Sequence, residues 1–170
     1  MPRPSHALVD PATLPTTALA AFPATRSAAL ERVRAVDAVA YARTRNHLRG
    51  AVARLSPYLT HGLISVPEVL SMIDEPNGSF TRELAWREFF QLVYQREGRA
   101  IFSDRFGPQP RRHPEASSQR LPAALLDART GINALDRAVR DLYAYGYVHN
   151  HARLWLASVT CHVAGADWRA

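Results

Sequence analysis

Lysine is missing from this chain: all 21 of its basic residues are arginine. A guanidinium is a planar fork that grips phosphate or carboxylate through two oxygens at once, whereas an ammonium is a point charge. Two explanations fit the bias: a phosphate-bearing partner, or a codon preference that also favours the abundant alanine. The balance of charge speaks more directly. Against 15 acidic residues the net charge is +6, with a sequence pI of about 10.2. That excess favours nucleic acid or a phosphorylated cofactor over an acidic protein partner.

Cysteine is nearly absent too. The lone Cys161 excludes an internal disulfide and any four-cysteine zinc or iron–sulfur centre within one chain, and its ordinary role is that of a small buried hydrophobe. No apolar run approaches the roughly 18 residues of a membrane span. The opening Met1-Pro2-Arg3-Pro4 lacks the charged-then-apolar order of a secretory signal, so no membrane partner and a cytoplasmic location are expected. At 170 residues, 47% of them hydrophobic, there is material for one well-filled core and too little for two.

Proline punctuates the two ends of what remains. Pro2, Pro4, Pro11, Pro15 and Pro23 mark residues 1–26 as an irregular arm, with at most a helical turn over Thr16 to Ala21. Residues 27–170 form the expected domain. Leu30, Val33, Val36 and Ala40 predict a helix through Tyr41 with Ser27 as its cap. Ser65-Val66-Pro67-Glu68 carries a capping box and an early proline, predicting a helix through Ile73. Ser79 is placed to cap a long helix to about Gln95, burying Phe80, Leu84, Phe89, Leu92 and Val93. Pro108, Pro110, Pro114 and Pro122 predict a surface loop over 106–122, carrying Arg111-Arg112-His113. Leu135, Ala138, Val139 and Leu142 repeat with helical period, with Asp136/Arg140 and Arg137/Asp141 as outer pairs and Gly146 as the stop. Val148, Ala152, Trp155, Leu156, Val159 and Val163 stripe one more helix. No segment alternates as a strand would, so the class is all-α.

Polar residues stand on helical faces where a plain core has no use for them. Glu83, Trp86, Arg87 and Phe90 share a face at i, i+3, i+4 and i+7. They are either an exposed ion pair among aromatics or a pocket wall with ring faces and an arginine. Tyr147, Asn150, His151 and Leu154 share another face, with Arg153 one turn beyond Asn150. An amide and a guanidinium at that spacing can address the edge of a flat heterocycle, or simply face water. Between Gly50 and Gly62, Ser56-Pro57 opens a helix whose free N–H groups suit a phosphate.

Taken in order, Arg54-Leu55-Ser56-Pro57-Tyr58-Leu59-x-x-Gly62, Glu83-Leu84-x-Trp86-Arg87-Glu88-Phe89, Asp136-x-Ala138-x-Arg140-x-Leu142, Gly146-Tyr147-x-His149-Asn150-x-x-Arg153 and Asp167-Trp168-Arg169 resemble the helical FAD-binding domain of the DNA photolyase and cryptochrome family. The resemblance runs from about Tyr41 to the C-terminus. It implies FAD as cofactor, with damaged DNA as a further partner. Reduced, light-excited FAD would then donate an electron to a pyrimidine dimer flipped out of the duplex. Tyr41, Arg54, Leu55 and Ser56 then stand near the FAD phosphates. Phe80, Glu83, Arg87, Tyr147, Asn150 and Arg153 line the rest of the pocket. Among residues for the chemistry itself, Glu83 borders the lesion, Trp86 contacts the damaged base pair, and Trp168 is the middle member of an electron-carrying tryptophan chain.

The chain departs from the family pattern in several places. Val52-Ala53 stand where hydroxyl residues are common, and Phe80 and Tyr147 where tryptophans are. Neither the antenna-bearing α/β domain nor the section following Trp168 in the family has a counterpart here, so a second copy or a separate C-terminal segment is expected to complete the pocket. The alternative reading is a non-enzymatic, arginine-rich helical module for nucleic acid, or an inactive fragment. No metal is expected. Of His149, His151, Cys161 and His162, the first two are two residues apart and would face away from each other on a helix.

Overall fold

Local capping decides where the helices begin, and three of the starts differ from the pattern above. In the computed structural model, which describes residues 20–75, 77–104 and 120–169, α1 spans Arg26–Arg34 and is capped by Thr25, whose hydroxyl accepts the Ala28 N–H at 3.2 Å. Ser27, the expected cap, lies inside the helix. The single helix expected through Tyr41 is two. The Asp37 carboxylate accepts the Ala40 N–H at 2.8 Å and starts a new helix, α2 (Ala38–Thr44). A short acidic side chain competes for helix N–H groups in just this way, and an apolar stripe cannot register it. The expected arm up to residue 19, and the expected loop over 106–122 as far as residue 119, lie outside the described residues.

The next elements bring the chain back on itself. Pro57 opens the short α3 (Ser56–Thr60), which buries Tyr58. Gly62, at φ +69°, turns the chain toward α4 (Val66–Met72). The Ser65–Glu68 capping box forms as expected: the Ser65 hydroxyl accepts the Glu68 N–H, and the Glu68 carboxylate accepts the Ser65 N–H at 2.8 Å. Arg26, hydrogen-bonded to Glu68, holds that carboxyl down at about 2, with the Ser65 N–H and hydroxyl assisting.

α5 (Ser79–Glu97) starts from Gly78 without a side-chain cap, so Ser79 is its first residue rather than its cap. It buries only Phe80 and Leu84; Phe89 and Leu92, expected in the core, are exposed. Gly98, at φ +54°, ends it and a 3₁₀ turn follows over Gly98–Phe102.

After the short α6 (Ala123–Leu126), α7 (Asn133–Tyr145) runs to Gly146, which takes the left-handed conformation and sends its N–H to Leu142 O. Asp136 is not part of an outer pair. It is buried and accepts the Thr130 N–H and hydroxyl at 2.8 and 2.6 Å, and these bonds hold its pKa below the usual carboxylate value. Arg140 donates to Ala128 O instead, whereas Arg137 and Asp141 do pair, at 3.9 Å. α8 (Asn150–Ser158) widens into a π-helical turn over Val159–Val163. The wider turn carries Val163 off the apolar stripe into solvent.

Two apolar clusters result. The larger joins α1, α3, α4 and α5 through Ala29, Val33, Leu55, Tyr58, Val69, Phe80 and Leu84. The smaller joins α7 to α8 through Ala138, Val148 and Ala152. Among the described residues there is no β-strand, and no helix is long and apolar enough to cross a membrane.

Two substitutions test this framework. Ser65→Ala removes half of the capping box and is expected to lower unfolding stability by about 1 kcal/mol in denaturant titrations. Gly50→Ala should destabilise by about 1–3 kcal/mol, because a β-carbon there would overlap the Thr44 carbonyl at the end of α2.

Candidate functional site

Between the two clusters lies a cavity of about 520 Å³. One wall is built by α2 and α5, another by α8 with Tyr147 and Val148 ahead of it, and a further side by the segment 52–56. All ten side chains singled out for cofactor binding line it: Tyr41 from α2; Arg54, Leu55 and Ser56 from the segment; Phe80, Glu83 and Arg87 from α5; Tyr147, Asn150 and Arg153 from the α8 side. Val52 and Ala53 line it as well, making that part of the wall apolar.

Two arginines of the wall are held by neutral partners. Arg87 donates to the Thr60 hydroxyl at 3.0 Å, and Arg153 donates through Nε to Val148 O at 3.1 Å. A guanidinium carries five N–H donors, so one bond fixes its direction and leaves the others for a ligand. Arg54 has φ +50°, a left-handed conformation rare outside glycine and costing about 1 kcal/mol or more. Its guanidinium and that of Arg153 both stand 5.9 Å from the Tyr147 ring centroid.

The carboxylate of Glu83 is not isolated: Arg45 pairs with it at 3.3 Å and also covers the Tyr41 ring. Tyr41 in turn meets buried Phe80 edge-on, with centroids 5.1 Å apart. Burial raises the Tyr41 phenol above its usual pKa, with the Glu83 charge adding to it. Burial likewise raises Tyr147, against the opposing guanidiniums of Arg153, Arg54 and Arg32. Both phenols therefore remain neutral donors at physiological pH.

Two of the residues assigned to the chemistry lie elsewhere. Trp86 is 57% exposed and stacks on Phe90 outside the cavity, while Glu83 and Arg87 of the same helix face in. Trp168 lies parallel to Phe102, with centroids 6.5 Å apart, and donates through Nε1 to Asp104 at 3.2 Å. It does not line the cavity.

Sequence reasoning missed Arg45, Asn46 and Thr60. Arg45 was within reach, being one helical turn from Tyr41. Thr60 was not, because its role depends on how α3 meets α5. The two histidines also differ from expectation. His149 precedes the helix with extended backbone, so helical spacing does not apply to it, and its ring lies 5.9 Å from that of His151. His149 caps α8 through Nδ1, which accepts the His151 N–H at 3.1 Å.

Comparison with known proteins follows the same lines. A family model described as the FAD binding domain of DNA photolyase matches residues 80–170. A deoxyribodipyrimidine photo-lyase from Streptomyces griseus is 34% identical over 70% of this chain, and a cryptochrome DASH from Xenopus laevis 32% identical over 94%. Among solved structures, a Synechocystis cryptochrome superposes with a TM-score of 0.70 at 24% identity over 85% of this chain. An archaeal photolyase from Sulfolobus tokodaii, described as holding two FAD molecules, superposes with 0.63 at 29% identity over 81%. The chain belongs to the DNA photolyase and cryptochrome family. It spans 26% of the Streptomyces protein, 33% of the Xenopus protein, and 33% and 31% of the two solved chains.

The capping role of His149 has a pH signature. Burial, then His151 and Arg54, lower its pKa below the ordinary 6.5. The unfolded chain therefore takes up the proton more readily than the folded one, and stability should fall as pH drops from about 6.5 toward the folded pKa. His149→Asn keeps a capping acceptor that does not titrate. Thermal melts from pH 8 to about 5 should show wild type losing more stability than this variant.

Proposed function

We propose that the cavity is the FAD site of a photolyase-type lyase and that light-driven repair of pyrimidine dimers in DNA is the activity it serves. The observation that carries this reading is convergence: four separated segments deliver aromatic faces, arginines and an amide to one hollow. The donor set fits the cofactor. Arg87, Arg153 and Asn150 offer N–H groups to the edge of a flat heterocycle, and Tyr147 offers a ring face. Arg54 and the Ser56 hydroxyl supply a cation and a hydroxyl for a pyrophosphate.

When bound and reduced, FAD supplies light-driven transfer of one electron; the protein's task is to bind, orient and keep water out. Phe80 and Leu55 close the apolar side of the hollow. Thr60 and Val148 O keep the two arginines aimed before any ligand arrives, so little ordering is left for the binding step. Glu83 borders the position of the flipped lesion. Trp86, exposed on the same helix, offers a face to the neighbouring base pair. Trp168, held by Asp104, is the proposed electron relay to the flavin. A second copy or a separate C-terminal segment contributes further contacts in this reading, in keeping with relatives of which this chain spans 26–33%.

Purified protein mixed with FAD should retain a yellow chromophore through gel filtration. The Arg87→Ala/Arg153→Ala double variant should lose it, with affinity falling about a hundredfold or more for two charge-assisted contacts. Colourless wild-type protein that binds duplex DNA with a steep salt dependence would overturn the cofactor site and favour the arginine-rich nucleic-acid module.

A further inference from the structure

Behind the wall formed by Arg54, Tyr147 and Val148 lies a second cavity, of about 630 Å³. Its size is that of a small-molecule site, about 300–1,000 Å³. Phe22, Tyr145 and Tyr147 give it ring surfaces, and Arg49, Arg54 and Arg137 give it cations. Among the described residues Asp141 is its only carboxylate, and it already pairs with Arg137. Arg49 and Arg54 have no carboxylate within ion-pair distance among the described residues.

The remaining polar group is more telling. His149 lines this cavity, and its Nδ1 is committed as the acceptor of the His151 N–H. A neutral imidazole has one proton, so it must reside on Nε2. That nitrogen is buried and has no hydrogen-bond partner. A buried donor without an acceptor is unfavourable, and a ligand that brings one removes the penalty. The cavity thus offers donors and ring faces, and its carboxylate, Asp141, is already engaged by Arg137.

We propose that this second cavity binds a phosphate monoester bearing a flat aromatic group, of the size of a nucleoside monophosphate. Arg49 and Arg137 take the phosphate, Phe22 and Tyr145 flank the ring, and His149 Nε2–H donates to an acceptor on the ligand. A small molecule is favoured over a nucleic-acid strand because the hollow is a bounded cavity of about 630 Å³, walled by ring faces, rather than a continuous surface track. The site does not depend on the FAD reading, because Arg49, Arg137 and His149 do not line the first cavity.

Adenosine 5′-monophosphate is the probe, titrated calorimetrically into wild type and two double variants. Arg49→Ala/Arg137→Ala should weaken binding by about tenfold per arginine while melting like wild type, since both side chains are exposed. Arg87→Ala/Asn150→Ala, which alters only the first cavity, should leave the affinity within about twofold, a shift of under roughly 0.5 kcal/mol. Wild type carrying FAD should still bind the nucleotide. The proposal is overturned if wild type gives no binding heat, if loss follows Arg87→Ala/Asn150→Ala, or if FAD displaces the nucleotide completely. It is likewise overturned if a single-stranded oligonucleotide binds more tightly with the same dependence on Arg49 and Arg137.

Discussion

The phenol ring of Tyr147 stands where the two apolar clusters meet, and the geometry of both cavities depends on it. On one side it packs against Phe22, centroids 5.3 Å apart, and Phe22 in turn packs against Tyr58 of the larger cluster. Its chain neighbour Val148 belongs to the smaller cluster. Guanidiniums of Arg54 and Arg153 approach the ring at equal distances. Cation–π contacts are worth about 0.5–2 kcal/mol each, the more so when desolvated. The union of the two halves is thus made of the same residues that face the ligand spaces. Arg32 extends the arrangement, covering Phe22, donating to the Tyr58 hydroxyl at 3.3 Å and bonding Ala21 O.

A recurring device in the larger site is the arginine held by something uncharged. Had Arg87 and Arg153 been fixed by carboxylates, the wall would be neutral and a phosphate would compete with an internal anion. Held by a hydroxyl and a carbonyl, they keep their full charge. Arg45 is the exception, paired with Glu83, and the pair places the cavity's carboxylate beside a cation.

Much of this was legible in the chain itself, and the parts that were not share a cause. The capping box at Ser65–Glu68, the stop at Gly146 and the all-α class follow from local chemistry, which short stretches encode completely. The order and spacing of the Arg54, Glu83/Arg87 and Asn150/Arg153 motifs led to ten side chains that line one cavity. What escaped were events decided by competition or by tertiary approach. Asp37 interrupts an otherwise continuous apolar stripe. Asp136 turns inward to a Thr130–Gly131 turn rather than outward to Arg140. Helix α5 carries Phe89, Phe90 and Leu92 that no described residue buries, so apolar content overstated its core face. Thr60 and the second cavity become visible only once distant segments are in place.

The absence of lysine has an electrical consequence inside these hollows. Lysine ammonium groups lose charge readily when buried, whereas guanidinium remains protonated across the whole range in which the fold exists. The walls therefore behave like the fixed quaternary groups of a strong anion exchanger, with a counter-charge that acid or alkali cannot tune. In the second hollow, sensitivity to proton concentration falls to the imidazole of His149.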